Sequence, residues 1–299
     1  MYKYKIFGLN ITSEIKMNCY EADFEDVEVE IVYSKEFVSE SYEDGLIRLS
    51  SNIFWFHIID VGIFSVENGN KIIITPYKNA DEKSIELYIL GSGFGALLIQ
   101  KNEFPIHGAF VEYNSVGVAI VGDAGAGKTS LTSALTKNSA KIITDDVMRL
   151  SFLDNKPFVY PSYPSQKMWS KTANALNIDT SNLKSIVNRT GKYFVEDWSI
   201  FSNKPMEIKY MFEIVECDVD EVCIESLDKK ASLELLIRNS YRYFIIELSG
   251  RLKDHFGYVM QLERCIQTYI IKRPKNKFTV DDQIKLIDKV IGDQNEKVS

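Results

Sequence analysis

Residues 116–135 of the chain read VGVAIVGDAGAGKTSLTSAL. The apolar run at residues 116–121 predicts a buried strand, and the stretch after Thr129 predicts a helix. Between them, residues 122–129 (GDAGAGKT) satisfy the pattern G-x-x-x-x-G-K-[ST] in the strand-to-helix context that this pattern requires. The stretch therefore predicts an α/β fold with a phosphate-binding loop of the Walker A kind.

The chemistry of such a loop follows from its residue types. Glycines allow backbone N–H groups to face phosphate oxygens, and the N-terminus of the following helix adds a partial positive charge. Lys128 would neutralise the outer phosphates, and the Thr129 hydroxyl would bind Mg²⁺. A glycine-rich turn without a ligand is the alternative, but a lysine and a threonine both in place favour nucleotide binding. The predicted ATP-binding residues are Gly122, Asp123, Ala124, Gly125, Ala126, Gly127, Lys128, Thr129 and Ser130.

An acidic pair, Asp145-Asp146, follows the strand-like residues 141–144. This strand comes directly after the loop helix, so a right-handed crossover would bring the pair back beside the loop. One carboxylate could then hold Mg²⁺ while the other accepts the proton of an attacking hydroxyl. An Asp pair that only caps a turn is the alternative. His107 precedes a strand expected to run next to the loop strand, although a single histidine is most often structural.

The whole-chain composition limits the classes of function. With 299 residues and 45% hydrophobic content, the chain is long enough to bury a sizeable core as one large or two ordinary domains. The net charge of −7 argues against nucleic acid as a partner. No apolar run is long enough to span a bilayer, which argues against a membrane partner. Four scattered cysteines disfavour disulfides and zinc, so we expect a cytoplasmic protein.

The chain divides into two regions by its residue pattern. Residues 1–103 contain short β-branched and aromatic runs, and Asn68-Gly69 lies between two of them, which predicts a hairpin in an antiparallel layer. Gly91-Ser92-Gly93 resembles a degenerate dinucleotide-binding fingerprint, but no βαβ unit follows, so we interpret it as a loop that opens a helix at residues 96–100. The sequence thus predicts an N-terminal β-rich domain over residues 1–103.

Residues 104–299 are predicted to form an α/β P-loop catalytic domain with a C-terminal helical tail, which makes the chain a mixture of α+β and α/β. Within it, Ser165 is a candidate N-cap for a helix that begins at Gln166, and Ser232 precedes another helical stretch. In the tail, Thr279 resembles the start of a capping box, and Gly292 suits a C-terminal stop. Three isoleucines share one face of this tail: Ile284, Ile287 and Ile291.

Three segments together resemble a known family. Residues 107–112 (HGAFVE), residues 116–129 and residues 144–146 (TDD) match the catalytic core of HPr kinase/phosphorylase at spacings that need no gap. The resemblance implies a serine kinase that uses ATP and Mg²⁺ and has a core similar to that of phosphoenolpyruvate carboxykinase. It also implies that Asp145 is the base toward the serine hydroxyl, that Asp146 assists metal and phosphate alongside Thr129, and that His107 supports the acidic group.

The resemblance becomes more specific outside this core. The chain lacks the E-I-R-G-L-G stretch of the bifunctional enzyme, so phosphorylase activity and HPr as substrate are not implied. Residues 4–13 and 163–169 resemble HPr-kinase-like proteins associated with ribosomally made peptides, among them lasso-peptide precursor kinases, which phosphorylate a C-terminal serine. The implied partner is a serine-containing peptide or small protein, and a homo-oligomer is a further expectation. Residues 189–192 (RTGK) could meet phosphate or an acidic peptide end.

Two other classes of function stay open. The loop specifies phosphate and metal but not the acceptor, so a nucleotide hydrolase or a small-molecule kinase, for instance one that phosphorylates free serine, fits it equally well. A non-catalytic binding module regulated by nucleotide is the third reading. The sequence names neither the acceptor nor a phosphoryl donor other than ATP.

Overall fold

The computed structural model describes residues 1–38, 42–50, 52–175, 178–180, 183 and 191–298. Within them, a β-rich N-terminal sheet precedes a mixed α/β region. The N-terminal sheet has the strand order β1-β2-β3-β7-β6-β5-β4. Its strands are β1 (Tyr2–Ile6), β2 (Leu9–Ser13), β3 (Val29–Tyr33), β4 (Ile47–Leu49), β5 (Ile53–Ile58), β6 (Gly62–Glu67) and β7 (Lys71–Pro76).

The turn between β6 and β7 confirms the predicted hairpin. Asn68 and Gly69 have φ values of 55° and 69°, which are the left-handed conformations that these two residue types tolerate best. The expectation of a purely antiparallel layer is wrong, because β3 pairs in parallel with both β2 and β7. A long connection enters β3 from β2, and such a connection allows parallel pairing where a tight hairpin would not.

A nearly continuous helical segment packs against this sheet. It consists of α1 (Glu82–Tyr88), a π-helical turn (Ile89–Gly93) and α2 (Phe94–Gln100). The predicted loop at Gly91-Ser92-Gly93 is therefore wrong. Close packing instead requires the neighbouring Gly95, where a Cβ would lie 2.3 Å from the ring of Tyr241.

The second sheet contains the predicted strand-loop-helix unit. Among the described residues it has nine strands, with β9 between β8 and β16, and β18 beside β16. Strand β8 pairs with β9 in antiparallel fashion. Strand β16 pairs in parallel with both β9 and β18. The strands are β8 (Ile106–Tyr113), β9 (Val116–Val121), β10 (Lys141–Thr144), β11 (Val147–Met148), β12 (Leu150–Leu153), β13 (Lys156–Val159), β16 (Met206–Cys217), β17 (Cys223–Ser226) and β18 (Gln267–Pro274).

The remaining elements surround this sheet. A separate hairpin is formed by β14 (Ser165–Trp169) and β15 (Lys192–Glu196), and a 3₁₀ turn covers Trp198–Ile200. The helices are α3 (Lys128–Lys137), α4 (Ser170–Ala175), α5 (Lys229–Arg238), α6 (Tyr243–Leu248), α7 (Leu252–Glu263) and α8 (Val280–Val298). No helix within the described ranges is long and apolar enough to cross a membrane.

Three helix boundaries differ from the prediction. Ser165 starts strand β14 instead of capping a helix, because Gln166 and Met168 alternate as buried residues of a hairpin. Helix α5 begins before Ser232, with Asp228 as its N-cap. Helix α8 continues past Gly292, which lies exposed inside the helix, where glycine costs only about 1 kcal/mol. The isoleucine stripe of α8 is buried as predicted.

The loop strand β9 is buried on both faces. Val118 and Ile120 pack in the cluster that contains α3 and α8, whereas Ala119 and Val121 pack in the cluster that contains α5 and α7. Coverage on both faces explains why residues 116–121 form a continuous apolar run without polar alternation. It also fixes the end of β9, and hence the loop, relative to helices on either side.

The apolar core of the N-terminal sheet includes residues from much later in the chain. Residues of the N-terminal sheet and its helices cluster with side chains from beyond residue 140, namely Val147, Tyr163, Tyr241, Ile245 and Ile246. The buried Arg149 adds a polar link, since its guanidinium pairs with Glu103 and donates to the carbonyl of Phe7. The N-terminal sheet is thus packed directly against the region that carries the acidic pair.

Candidate active site

The loop backbone forms a cradle at the N-terminus of α3. Gly122, Gly125 and Gly127 have φ values of 134°, 86° and 113°. At Gly122 a Cβ would lie 2.6 Å from the carbonyl oxygen of Ile214, so only glycine fits there. Because α3 begins at Lys128, the N–H groups of its first turn have no acceptor within the helix. These N–H groups and the helix dipole favour an anion.

Lys128 folds back over the loop. Its Nζ donates to the carbonyl oxygens of Gly122 at 2.7 Å and Asp123 at 3.2 Å. Burial lowers the pKa of Lys128, while the charges of Asp145 and Asp146 act in the opposite direction. The ammonium group is therefore within electrostatic reach of both the loop and the acidic pair.

The acidic pair lies between strands β10 and β11. Strands β10 and β11 both pair with β8, and Asp145-Asp146 is the two-residue interruption between them. Asp146 has a φ of 76°, and its carbonyl accepts from Gly108 N at 3.3 Å. Strand β8 lies between β10 and β9, so one antiparallel strand separates β10, which leads into the acidic pair, from β9, which leads into the loop.

Asp145 is buried beside β14. Its Oδ2 accepts from the backbone N–H of Lys167 at 3.4 Å, and Thr129 Oγ1 donates to the carbonyl of Lys167 at 3.3 Å. Burial, followed by the charge of Asp146, raises the pKa of Asp145 to about 6. Lys167 of β14 thus contacts both Thr129 of the loop and the carboxylate of Asp145, whose raised pKa makes it more basic than an ordinary aspartate.

Asp146 lies between two nitrogen groups. Lys167 Nζ is 2.6 Å from its Oδ2, and His107 Nδ1 is 3.5 Å from its Oδ1. His107 Nδ1 also lies 3.0 Å from the carbonyl oxygen of Asp146, so this nitrogen is assigned the proton. Burial lowers the pKa of His107, which keeps the ring neutral at pH 7. Burial also acts to lower the pKa of Lys167, but Asp146 more than offsets it and the net shift is upward.

Two further residues that the sequence did not single out hold the loop. The side-chain oxygen of Asn239 accepts from Gly122 N at 3.2 Å, and its backbone carbonyl accepts from His107 N at 2.7 Å. Arg273 donates from Nε to the carbonyl of Ala126 at 2.7 Å. Both contacts join the loop to segments more than 100 residues away in the chain, so no local pattern indicates them.

A cavity of about 430 Å³ opens beside the loop. It is lined by His107, Asp146, Lys167 and the first residues of the loop, together with the π-helical turn and residues 238–242. Asp145, Lys128 and Thr129 are not among its lining residues. The lining residues are Leu87, Tyr88, Gly91, Ser92, His107, Gly122, Asp123, Ala124, Asp146, Lys167, Arg238, Asn239, Ser240, Tyr241 and Arg242.

The oxygen donors of the site fit Mg²⁺. No group of three or more His, Cys, Asp or Glu that could hold a metal ion occurs in the part of the chain that the structure describes. Mg²⁺ does not need such a cage, because it is usually held by one or two carboxylates together with water and substrate phosphates. The Thr129 hydroxyl and the Asp145-Asp146 carboxylates supply donors of this kind.

Some predicted residues lie apart from this group. Ser130 Oγ is hydrogen-bonded to Thr172 Oγ1 at 3.1 Å. In the basic segment 189–192, Arg189 and Thr190 fall outside the described residues, and the carbonyl of Gly191 accepts from Ser170. Lys167 was passed over because residues 166–169 were predicted to be helical. The resemblance of residues 163–169 to a peptide-modifying group was the signal that pointed toward it.

Comparisons with known proteins give little beyond this geometry. No model of a protein family matches the chain, and no curated protein matches it. The structure of the Hpr(Ser) kinase/phosphatase from Coxiella burnetii is similar to it with a TM-score of 0.33 and 15% sequence identity, over 65% of this chain and 97% of that chain. A similarity of this degree identifies neither a family nor an activity.

Proposed function

We propose that the protein is a serine kinase that transfers the γ-phosphoryl group of ATP to a serine hydroxyl of a peptide or small protein. The observation that carries this proposal is the convergence of the loop and the acidic pair on Lys167, whose backbone N–H donates to Asp145 Oδ2 at 3.4 Å and whose carbonyl accepts from Thr129 Oγ1 at 3.3 Å. Nucleotide binding needs only a carboxylate that holds Mg²⁺, whereas phosphoryl transfer to a hydroxyl also needs a proton acceptor, and the acidic pair supplies both.

The reaction assigns one role to each group. The acceptor hydroxyl oxygen forms a bond to the γ-phosphorus, and the bond from that phosphorus to the β,γ-bridging oxygen breaks, which releases ADP. The hydroxyl proton moves to the carboxylate of Asp145, whose raised pKa makes it a stronger base than an ordinary aspartate. Lys128 and the loop N–H groups stabilise the charge on the transferred group.

The neighbouring residues position this machinery. Lys167 and His107 fix the carboxylate of Asp146 between them. Thr129 and Asp146 are the residues that would hold Mg²⁺, which when bound neutralises charge on the donor phosphates. The finer assignment, an HPr-kinase-like enzyme acting on a lasso or other ribosomal peptide precursor, is supported by the sequence resemblance of residues 107–146 and 163–169.

Mass spectrometry tests the proposal. The protein is incubated with ATP, Mg²⁺ and a panel of serine peptides, including those encoded beside its gene, and with free serine. We expect a phosphate on a peptide serine. Phosphorylation of free serine alone would make it a small-molecule kinase, and ADP release without an acceptor would make it a hydrolase. Nucleotide binding with no turnover on any acceptor would overturn the enzymatic proposal.

The activity should depend on pH through Asp145. Because the carboxylate must be ionised to accept a proton, kcat/KM is expected to fall about tenfold per pH unit as the pH decreases below about 6 and to level off above it. Initial rates of peptide phosphorylation between pH 4.5 and 8.5 measure this profile. A rate that stays constant through pH 6 would show that another group takes the proton.

A further inference from the structure

A buried glutamate lies beside the point at which β9 ends and the loop begins. Glu213 of β16 is 4% exposed, and its neighbours Phe212 and Ile214 are almost completely buried. In the sheet it is paired with Val121, the last residue of β9. A charged side chain in such surroundings is unfavourable unless it is paired and hydrogen-bonded. An apolar side chain would suit this strand position at least as well, so burial alone does not explain the glutamate.

The carboxylate of Glu213 contacts the end of helix α5. Arg238, the last residue of α5, donates from Nε to Oε1 at 2.7 Å and from Nη2 to Oε2. The next residue, Asn239, donates from Nδ2 to the same Oε1 at 3.1 Å. Nearly half of the Arg238 side chain is exposed, whereas Asn239 is buried. Asn239 is therefore the partner through which the carboxylate acts on the interior of the site.

These bonds fix which way the side-chain amide of Asn239 faces. Its Nδ2 donates to Glu213 and, at 2.9 Å, to the carbonyl of Leu235, so both of its protons have acceptors. The amide oxygen is then left to accept from Gly122 N, the first N–H of the loop, at 3.2 Å. A reversed amide would place its NH₂ group against the N–H of Gly122 and its oxygen against the carboxylate. Glu213 thus opposes reversal of the amide.

Asn239 also holds the acidic side of the site. Its backbone carbonyl accepts from His107 N at 2.7 Å, and His107 Nδ1 lies 3.0 Å from the carbonyl oxygen and 3.5 Å from Oδ1 of Asp146. On the loop side, the carbonyl of Gly122 accepts from Lys128 Nζ at 2.7 Å. Asn239 therefore bonds to the loop through its side chain and to His107 through its backbone.

We propose that Glu213 is a positioning residue for phosphoryl transfer, because it orients the Asn239 side chain that joins the donor loop to the His107 segment. Glu213 is buried and is not among the residues that line the cavity, so its effect on the reaction passes through Asn239. A misplacement of reacting groups by about 1 Å reduces rates by about a hundredfold, even when it arises away from the chemistry. This inference rests on the proposed function, since it assigns a further residue to the same site.

Two substitutions of Glu213 separate the orientation of Asn239 from the burial of a side chain. Glu213→Met has a similar length but no acceptor for Asn239 Nδ2, whereas Glu213→Gln retains one carbonyl oxygen. With a serine peptide that the wild type phosphorylates, we expect Glu213→Met to reduce kcat roughly tenfold to a hundredfold and to leave KM for ATP within about twofold. Glu213→Gln should restore kcat to within about fivefold of the wild type.

Glu207→Met is the matched control for the loss of a carboxylate from β16. Glu207 lies on the same strand and pairs with Lys209, but within the described part of the chain it shares no hydrogen bond with Asn239. It should keep the wild-type kcat, and thermal unfolding of all three variants verifies that they are folded. If Glu213→Gln were as slow as Glu213→Met, the acceptor for Asn239 would not be what the reaction needs, and the inference would be wrong.

A double-mutant cycle tests whether Glu213 acts through Asn239. Asn239→Leu keeps the backbone carbonyl that accepts from His107 but removes the side-chain amide. If the role of Glu213 is to orient that amide, Glu213→Met should reduce kcat by less than about twofold in the Asn239→Leu background. Equal losses of kcat in both backgrounds would show independent effects and would overturn the inference.

Amide hydrogen exchange gives a readout that needs neither an acceptor nor turnover. Because Gly122 N donates to Asn239, Glu213→Met should accelerate exchange at Gly122 by about tenfold in the nucleotide-free protein, whereas Glu213→Gln and Glu207→Met should not. Unchanged exchange in Glu213→Met, or a raised KM for ATP with unchanged kcat, would overturn the inference. Accelerated exchange in a protein that phosphorylates no serine peptide would refute the kinase proposal but keep the orientation of Asn239 by Glu213, so the two failures are distinguishable.

Discussion

Asp145→Asn is expected to reduce phosphoryl transfer by about a thousandfold while the affinity for ATP changes little. The substitution keeps the shape of the side chain and removes its ability to accept a proton, and positioned general bases contribute rate factors of about 10² to 10⁴. Asp145 Oδ2 accepts from the backbone N–H of Lys167, which is not part of the loop, so the substitution leaves the loop residues themselves unaltered. Single-turnover rates with radiolabelled ATP, together with calorimetric titration of ATP, measure the two effects separately.

Stability gives an independent readout of the same variant. The folded-state pKa of Asp145, about 6, lies above its ordinary value of 3.8, so at neutral pH the buried ionised carboxylate destabilises the folded state. Removing the charge should stabilise the protein by up to about 3 kcal/mol above pH 6, and this gain should vanish as the pH falls below about 4. Thermal unfolding at pH 8 and pH 4 measures it.

The exposed Asp23→Asn, in the connection between β2 and β3, is the matched control and should change neither rate nor stability. Full transfer by Asp145→Asn would show that Asp145 is not the base. A loss of stability at pH 8 would show that its carboxylate is a favourable structural partner instead.

Lys128→Met is expected to reduce transfer by about a thousandfold and to weaken ATP binding as well. Methionine retains much of the volume of the side chain but has no charge and cannot donate to the carbonyls of Gly122 and Asp123. Removing one preorganised donor from a transition state typically reduces kcat by about 10² to 10³, and the loss of a full charge facing phosphate adds to this. Steady-state kinetics with varied ATP separate the effects on kcat and KM.

Lys253→Met, at an exposed position of α7, controls for the loss of a lysine elsewhere on the protein. If Lys128→Met kept its kcat and raised only KM for ATP, the lysine would contribute binding without stabilising the transition state. An unchanged affinity and rate would mean that the loop does not hold the phosphoryl donor at all.

The strand-loop-helix unit could be predicted from sequence because its signals are local. The apolar run of β9 requires burial on both faces, and the loop glycines and Lys128 follow within a few residues. The pairing of β8 with β9 followed from the same proximity in the chain. The position of Asp145-Asp146 near the loop was expected, but residue spacing does not show that the pair interrupts two strands that both pair with β8.

The rest of the site depends on contacts between distant segments. Gly91 and Gly93 were interpreted as loop residues because a sequence cannot show that Tyr241 packs against the neighbouring Gly95. Lys167 was assigned to a helix because its hairpin partner, β15, follows more than twenty residues later. Asn239 carries no motif, and only its hydrogen bond with Gly122 N shows that it holds the loop.

The apolar core of the N-terminal sheet has a consequence for the way the chain folds during synthesis. Strands β1–β7 leave the ribosome before Tyr163, Tyr241 and Ile245, which complete the core that covers them. Until those residues arrive, part of the N-terminal apolar surface has no cover, and contacts of such large sequence separation form slowly. We therefore expect the N-terminal sheet to gain its full stability only after the chain has been translated as far as Ile246.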